Sequence, residues 1–171
     1  LPLFAATGEG ADAPLPALPD MGAAEEVYRD YQTTRLSLKG HPMQFFRDGL
    51  SRERFLHCAD LAAMKDGAWV SVAGLVLIRQ RPGSGEVIFI TLEDETGIAN
   101  LIVWPRMAER YRRTVLTSRV MAAHGVLQKE GRVIHLVTRR LEDRSHLLEA
   151  MAGNGAGSAA EEFGDAALAN A

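Results

Sequence analysis

The sequence predicts a mainly β protein. The expected architecture is a five-stranded Greek-key barrel with a short helix between strands three and four, preceded by a partly helical linker and followed by a disordered tail. Three observations predict it. Five apolar runs of strand length follow one another between Trp69 and Arg140, rich in Val, Ile and Leu. Turn residues separate them: Pro82-Gly83 and Gly85, then Gly97, then Gly131. Only the stretch after Pro105 changes to helical spacing, with Met107, Tyr111 and Val115 in step.

Leu1 to Met21 is rich in Pro, Ala and Gly, and Pro14, Pro16 and Pro19 remove backbone donors, so residues 1–21 are expected as flexible linker. Residues 22–64 are expected as a partly helical connector. Asp20 can cap a helix from about Gly22 to Arg29, with Glu25 and Glu26 in its first turns, where the helix dipole favours acids. Pro42 pushes His41 out of the helical region. Met43, Phe46 and Leu50 then share one side of a helical turn, and Asp60 to Met64 forms another turn.

The barrel is expected over residues 65–145. Strand one, Trp69 to Gln80, is apolar on both faces, as a long strand shared by both halves of a barrel would be, with Gly74 at a bend or bulge. Arg81 to Glu86 is a hairpin loop. Strand two is Val87 to Leu92. Glu93 to Gly97 is a tight turn, with Gly97 expected at positive φ. Strand three is Ile98 to Trp104, and the helix runs from Pro105, suited to a first helical position, to about Thr114. Strand four, Val120 to Gln128, and strand five, Val133 to Arg140, flank a turn with Gly131 at its tip. Leu141, Leu148 and Met151 suggest a last short helix. From Ala152 large apolar residues are nearly absent, so the end of the chain is expected to be disordered.

This strand and helix order is the outline of an OB-fold, which mostly binds single-stranded nucleic acid. The chain of 171 residues carries a net charge of −3, yet Lys65 to Arg144 holds 13 Lys and Arg against 9 Asp and Glu. A basic barrel between acidic flanks suits contact with phosphate and is also unremarkable for such a domain. No apolar run approaches the ~20 residues of a membrane span, and no basic segment leads into an apolar one as in a signal peptide. The single cysteine, Cys58, excludes an internal disulfide and fits a reducing, cytoplasmic compartment. The chain starts at Leu1, as a piece of a longer polypeptide would.

Single strands need a positive groove and aromatic faces. The loops that flank the usual OB site offer Arg79, Arg81, Lys129 and Arg132. Phe89 and Trp104 are the aromatic candidates and Asn100 can bond a base edge. Strand parity leaves Phe89 either on the core or on the outside, and Trp104 either stacking or capping the barrel. Trp69 is read as core or a domain contact, and Arg110, Arg112 and Arg113 as a solvated helix face. Glu93, Asp94 and Glu95 sit in a turn and point apart, so they are read as turn chemistry and not as metal ligands. His57 and Cys58 lack further zinc ligands nearby, and Cys58 is read as structural. No catalytic carboxylate set, metal or cofactor site is expected in this segment.

Three runs carry a closer resemblance: Ala73-Gly-Leu-Val-Leu-Ile-Arg-Gln-Arg-Pro-Gly83, the stretch Phe89 to Pro105 with Thr91-Leu-Glu-Asp-Glu-Thr-Gly97 inside it, and Gly125 to Val137. Together they resemble the C-terminal OB domain of bacterial error-prone DNA polymerases, relatives of the replicative polymerase III alpha subunit. Upstream, Asp30 to Thr34 and Leu36 to Met43 resemble the segment leading into that domain from a helix-hairpin-helix region, with Arg35 departing from an expected Gly. The resemblance implies a magnesium-dependent translesion DNA polymerase whose catalytic carboxylates lie far upstream of this segment. It also implies partners: an inactive Y-family-like polymerase and a recombinase-like accessory protein. Two roles for the barrel follow, holding single-stranded DNA template or docking to those accessory proteins. A tRNA synthetase anticodon-binding OB domain is a weaker alternative, suited by the Thr91 to Gly97 run alone.

Overall fold

Strand β1 (Trp69–Gln80) explains the architecture, because it serves two sheets and two cores. The computed structural model of the chain describes residues 26–30, 40–83 and 85–153. The expected linker 1–21 and the tail beyond residue 153 lie outside them. The first half of β1 pairs with β4 (Val120–Glu130) and the second half with β2 (Ile88–Asp94), both antiparallel. β2 pairs with β3 (Gly97–Val103), β3 runs parallel to β5 (Val133–Asp143), and β5 returns along β4. The result is a closed barrel in the order β1-β2-β3-β5-β4, the expected OB-fold.

On the inner side of β1, Val70 and Val72 join Ile90, Leu92, Leu101, Val103, Met121, Leu127 and Leu136 in the barrel interior. On the outer side, Ala73 and Leu75 join Val120 and Ala122 under a second layer. That layer is the connector plus the last helix. A 3-10 turn, Pro42–Phe46, runs into α1 (Arg47–Arg52) and buries Met43, Phe46 and Leu50, the three residues the helical spacing selects. His41 is extended, as the following proline requires, and its Nδ1 accepts from the Met43 amide at 3.1 Å. A second 3-10 turn, Cys58–Ala62, sends Cys58 and Leu61 into the barrel core. Residues 26–30 are helical, with Val27 buried in the outer layer.

Several expected details change. The helix after Pro105 is two short helices, α2 (Pro105–Arg110) and α3 (Arg112–Thr117), broken at Tyr111. Leu141 is not in the last helix. β5 runs on to Asp143, Leu141 faces the barrel core, and α4 (His146–Gly153) buries Leu147, Leu148 and Met151. Gly74 does not mark the bulge, which lies between Val76 and Ile78. Gly74 is needed because an added Cβ would stand 2.6 Å from the Glu93 carbonyl oxygen, where β2 crosses. Gly97 is absent from the positive-φ glycines. The β2–β3 turn is shaped instead by Asp94, whose Oδ1 accepts from the Thr96 amide at 2.8 Å and the Gly97 amide at 3.1 Å. Gly131 does take a positive φ of 62° at its hairpin tip.

Candidate nucleic-acid interface

Ladder register settles which side chains face outward. Ile90, Leu92, Ala99, Leu101 and Val103 are buried in the core, so Phe89, Thr91, Asn100 and Ile102 point away from it. Phe89 stands opposite Ile102, and Thr91 opposite Asn100. On the far side of β3, Asn100 is level with His135, and Ile102 with Val137. On β1, Ile78 is level with Thr91, and Gln80 with Phe89. The face is therefore a patch of half-exposed apolar and aromatic groups around two polar ones. The Phe89 ring meets the His135 ring edge-on, with centroids 6.3 Å apart. The Thr91 hydroxyl donates to Asn100 Oδ1 at 3.2 Å, which engages the amide oxygen and leaves its NH2 for another acceptor.

One end of this face is closed. Glu93, Asp94 and Glu95, at the β2–β3 turn, are gripped by the connector. Arg47 donates to Asp94 Oδ2 at 3.0 Å and to both oxygens of Glu95. The Cys58 amide donates to Asp94 Oδ2 at 2.8 Å. His57 Nδ1 lies 3.2 Å from Glu95 Oε1, and His41 Nε2 lies 3.6 Å from Glu93. The ligand atoms of His57, Asp94 and Glu95 do converge within 4.8 Å. A guanidinium already supplies the positive charge between the two carboxylates, which makes the cluster a clamp between connector and barrel. Beside it, burial pushes the Cys58 thiol far up from its ordinary value, against thiolate chemistry.

The other end is open and carries the expected residues unevenly. Phe89 and Asn100 lie diagonally across the β2–β3 ladder on the face. Trp104, at the end of β3, is 50% exposed and does not cap the barrel. Arg81 lines a groove of about 370 Å³ between the β1–β2 loop and helices α2 and α3. Arg132 is exposed at the β4–β5 hairpin tip. Two expected phosphate contacts are otherwise engaged. Arg79 donates from Nε to the Val115 carbonyl at 2.6 Å and from its terminal nitrogen to the Ser118 carbonyl, tying β1 to the end of α3. Burial lowers the pKa of its guanidinium, and Asp143 partly offsets this. Lys129 donates from Nζ to the Ala62 carbonyl at 2.7 Å, and its amide donates to Asp66 at 2.8 Å. Trp69 is not core: it is 60% exposed. Thr91, Ile102, His135 and Ile78 were missed because only the register shows that they share a face with Phe89. A period-two count from Ile90 and Leu92 on β2, and from Leu101 and Val103 on β3, would have found the first two.

Residues 70–144 match the family described as OB-fold nucleic acid binding domain. The chain is 53% identical over 153 residues to error-prone DNA polymerase 1 of Rhizobium meliloti (strain 1021), covering 86% of the chain and 14% of that protein. It is 50% identical over 158 residues to the error-prone DNA polymerase of Bradyrhizobium diazoefficiens, covering 90% of the chain and 14% of that protein. The chain thus spans about one seventh of the length of the curated relatives it matches. Among solved structures, asparaginyl-tRNA synthetase from Pyrococcus horikoshii aligns with a TM-score of 0.46 at 23% identity, over 52% of the chain and 22% of that structure.

Proposed function

We propose, on the premise that residues 70–144 belong to the OB-fold nucleic acid binding domains and that the chain is homologous to one segment of the error-prone DNA polymerases, that the barrel holds single-stranded DNA. The observation that carries this reading is the open outer face of β2, β3 and β5. There Phe89, His135 and Trp104 offer ring surfaces, and Asn100 an amide NH2. Bases stack on such rings regardless of identity, so the contact tolerates any template. Arg81 and Arg132, at the loops on either side, reach the phosphates and supply most of the salt-sensitive affinity. Arg79 and Lys129 act beneath them by fixing the loops. In the whole protein the barrel would keep template near a polymerase site located elsewhere in the chain. On this reading the magnesium chemistry lies at that distant site, the whole protein serves translesion synthesis, and its setting is cytoplasmic.

A second reading, docking to accessory translesion proteins, is favoured by one observation. The groove beside Arg81 is lined by Leu116, 58% exposed, together with Arg112 and Glu109. The two readings separate by fluorescence anisotropy of a labelled oligonucleotide at two salt concentrations. Saturable binding that weakens steeply with salt supports the template role. Reversing the charge of Arg81 together with Arg132 should then weaken binding by about tenfold and flatten the salt slope. No binding at low salt would leave protein docking, to be tested by pull-down with the accessory subunits.

A further inference from the structure

The open face does not stop at β5. One row of outward positions crosses the sheet by ladder register: Gln80, Phe89, Ile102, Val137, Val126 and Trp69. Five steps of ~4.8 Å make this row ~24 Å long. Trp104 directly follows β3 and shares a cleft with Arg139 of β5. A cleft of about 340 Å³ runs from Trp104 and Arg139, past Val126 and Val137, to Asp66 and Gly67 just before Trp69. The connector and α4 cover the outer side of β1 and β4 at Ala73, Leu75, Val120 and Ala122, and among the described residues they do not extend here.

Both tryptophans of the chain are on this surface, and both are at least half exposed. Large apolar side chains gathered on one exposed surface mark a place where a ligand or partner sits. The charge fits an anionic ligand. Arg139 is exposed at the rim with no carboxylate partner among the described residues. The carboxylate in the cleft, Asp66, accepts from the Lys129 amide and keeps its charge, so the strand's phosphates meet the Arg139 end of the cleft and not the Asp66 end.

We propose that single-stranded DNA leaves the β2–β3 face at Trp104 and continues across β5 and β4, and that Trp69 forms a second stacking platform at the far end of its path. This rests on the strand-holding reading and extends it to a site on the β1–β4 side of the barrel. Phosphates between the two platforms meet Arg139.

The tryptophans are their own reporters. In the 171-residue chain, W104F leaves Trp69 as the sole indole and W69F leaves Trp104. Each is titrated with oligothymidine of about 16 nucleotides, within the range a single barrel binds, while anisotropy of the labelled strand is followed in parallel. Quenching of both emissions with the anisotropy midpoint is the expected result. W69A should weaken binding about fivefold or more, and W69F, which keeps a ring to stack on, should restore most of it. Binding by anisotropy with Trp69 emission unmoved would overturn the second platform, leave the strand-holding reading intact, and assign the Trp69 surface to a protein partner. No binding by anisotropy would overturn both.

Discussion

At Asp94 a carboxylate 2% exposed joins the β2–β3 turn to the connector. Burial alone would raise its pKa, but the Thr96 hydroxyl, the Cys58 and Thr96 amides and the Arg47 charge together hold it below the ordinary value. For His41 and His124 a lowered pKa has the opposite consequence, because it favours the neutral form. Burial lowers the pKa of His41 despite the neighbouring Glu93, Glu95 and Asp94. Burial lowers that of His124 too, despite Glu142 at 3.3 Å. A base with a folded pKa below its unfolded value of 6.5 is favoured neutral in the folded state. Its stabilising share is therefore complete above pH 6.5 and is lost as pH falls through the folded pKa. Stability should thus fall on acidification from neutral pH, before Asp94, Glu142 and Asp143, all held low, begin to protonate. Urea midpoints at neutral and mildly acidic pH should show the slope, and the H41Q/H124Q double variant should flatten it. An equal slope in that variant would remove the histidines from the account.

Among the elements, the β4–β5 hairpin depends on two glycines for different reasons. Gly125 lies at the bulge after His124, and an added Cβ would stand 2.1 Å from the Val137 carbonyl oxygen. Gly131 has open space around it and only its φ of 62° favours glycine. G131A should cost about 1 kcal/mol, and G125A several times more, since a strand backbone must move. Thermal melts of the two variants check the ratio; similar losses would mean that β5 yields easily. The elements also show where sequence stops informing. Five strands, their turns and Gly131 were legible because apolar runs and turn residues alternate. Phe89 was ambiguous because a strand's two faces differ only by parity, and parity needs a register. Arg79 looked free because its acceptors, Val115 and Ser118, are about forty positions away. Gly97 misled because a side chain, Asp94, does the work expected of its backbone. The Tyr111 break was hidden because the helical spacing runs straight through it.

For the whole molecule, the connector is part of the fold that presents the open face. Cys58 and Leu61 lie in the barrel core, while Met43, Phe46, Leu50 and Phe55 cover the outer side of β1 and β4. Burying one such large side chain contributes roughly 1.5–3 kcal/mol. The sum over Met43, Phe46, Leu50, Phe55 and Leu61 therefore rivals the ~5–15 kcal/mol that keeps a domain folded. The Arg47 clamp on Asp94 and Glu95 and the Arg144–Glu53 pair at 2.7 Å orient this layer. A barrel cut at Lys65 should therefore expose Leu75, Val120, Leu147 and Leu148, lose its cooperative melt and bind a hydrophobic dye. A chain starting at Gly40 should melt cooperatively and keep whatever affinity for single strands the full chain has. If the Lys65 form melts within a few degrees of the full chain, the outer layer is a passenger, and the closed end of the face needs another explanation. If it unfolds, the smallest unit that can hold a strand includes the connector, and loss of binding in shorter pieces reports lost folding before it reports a lost site.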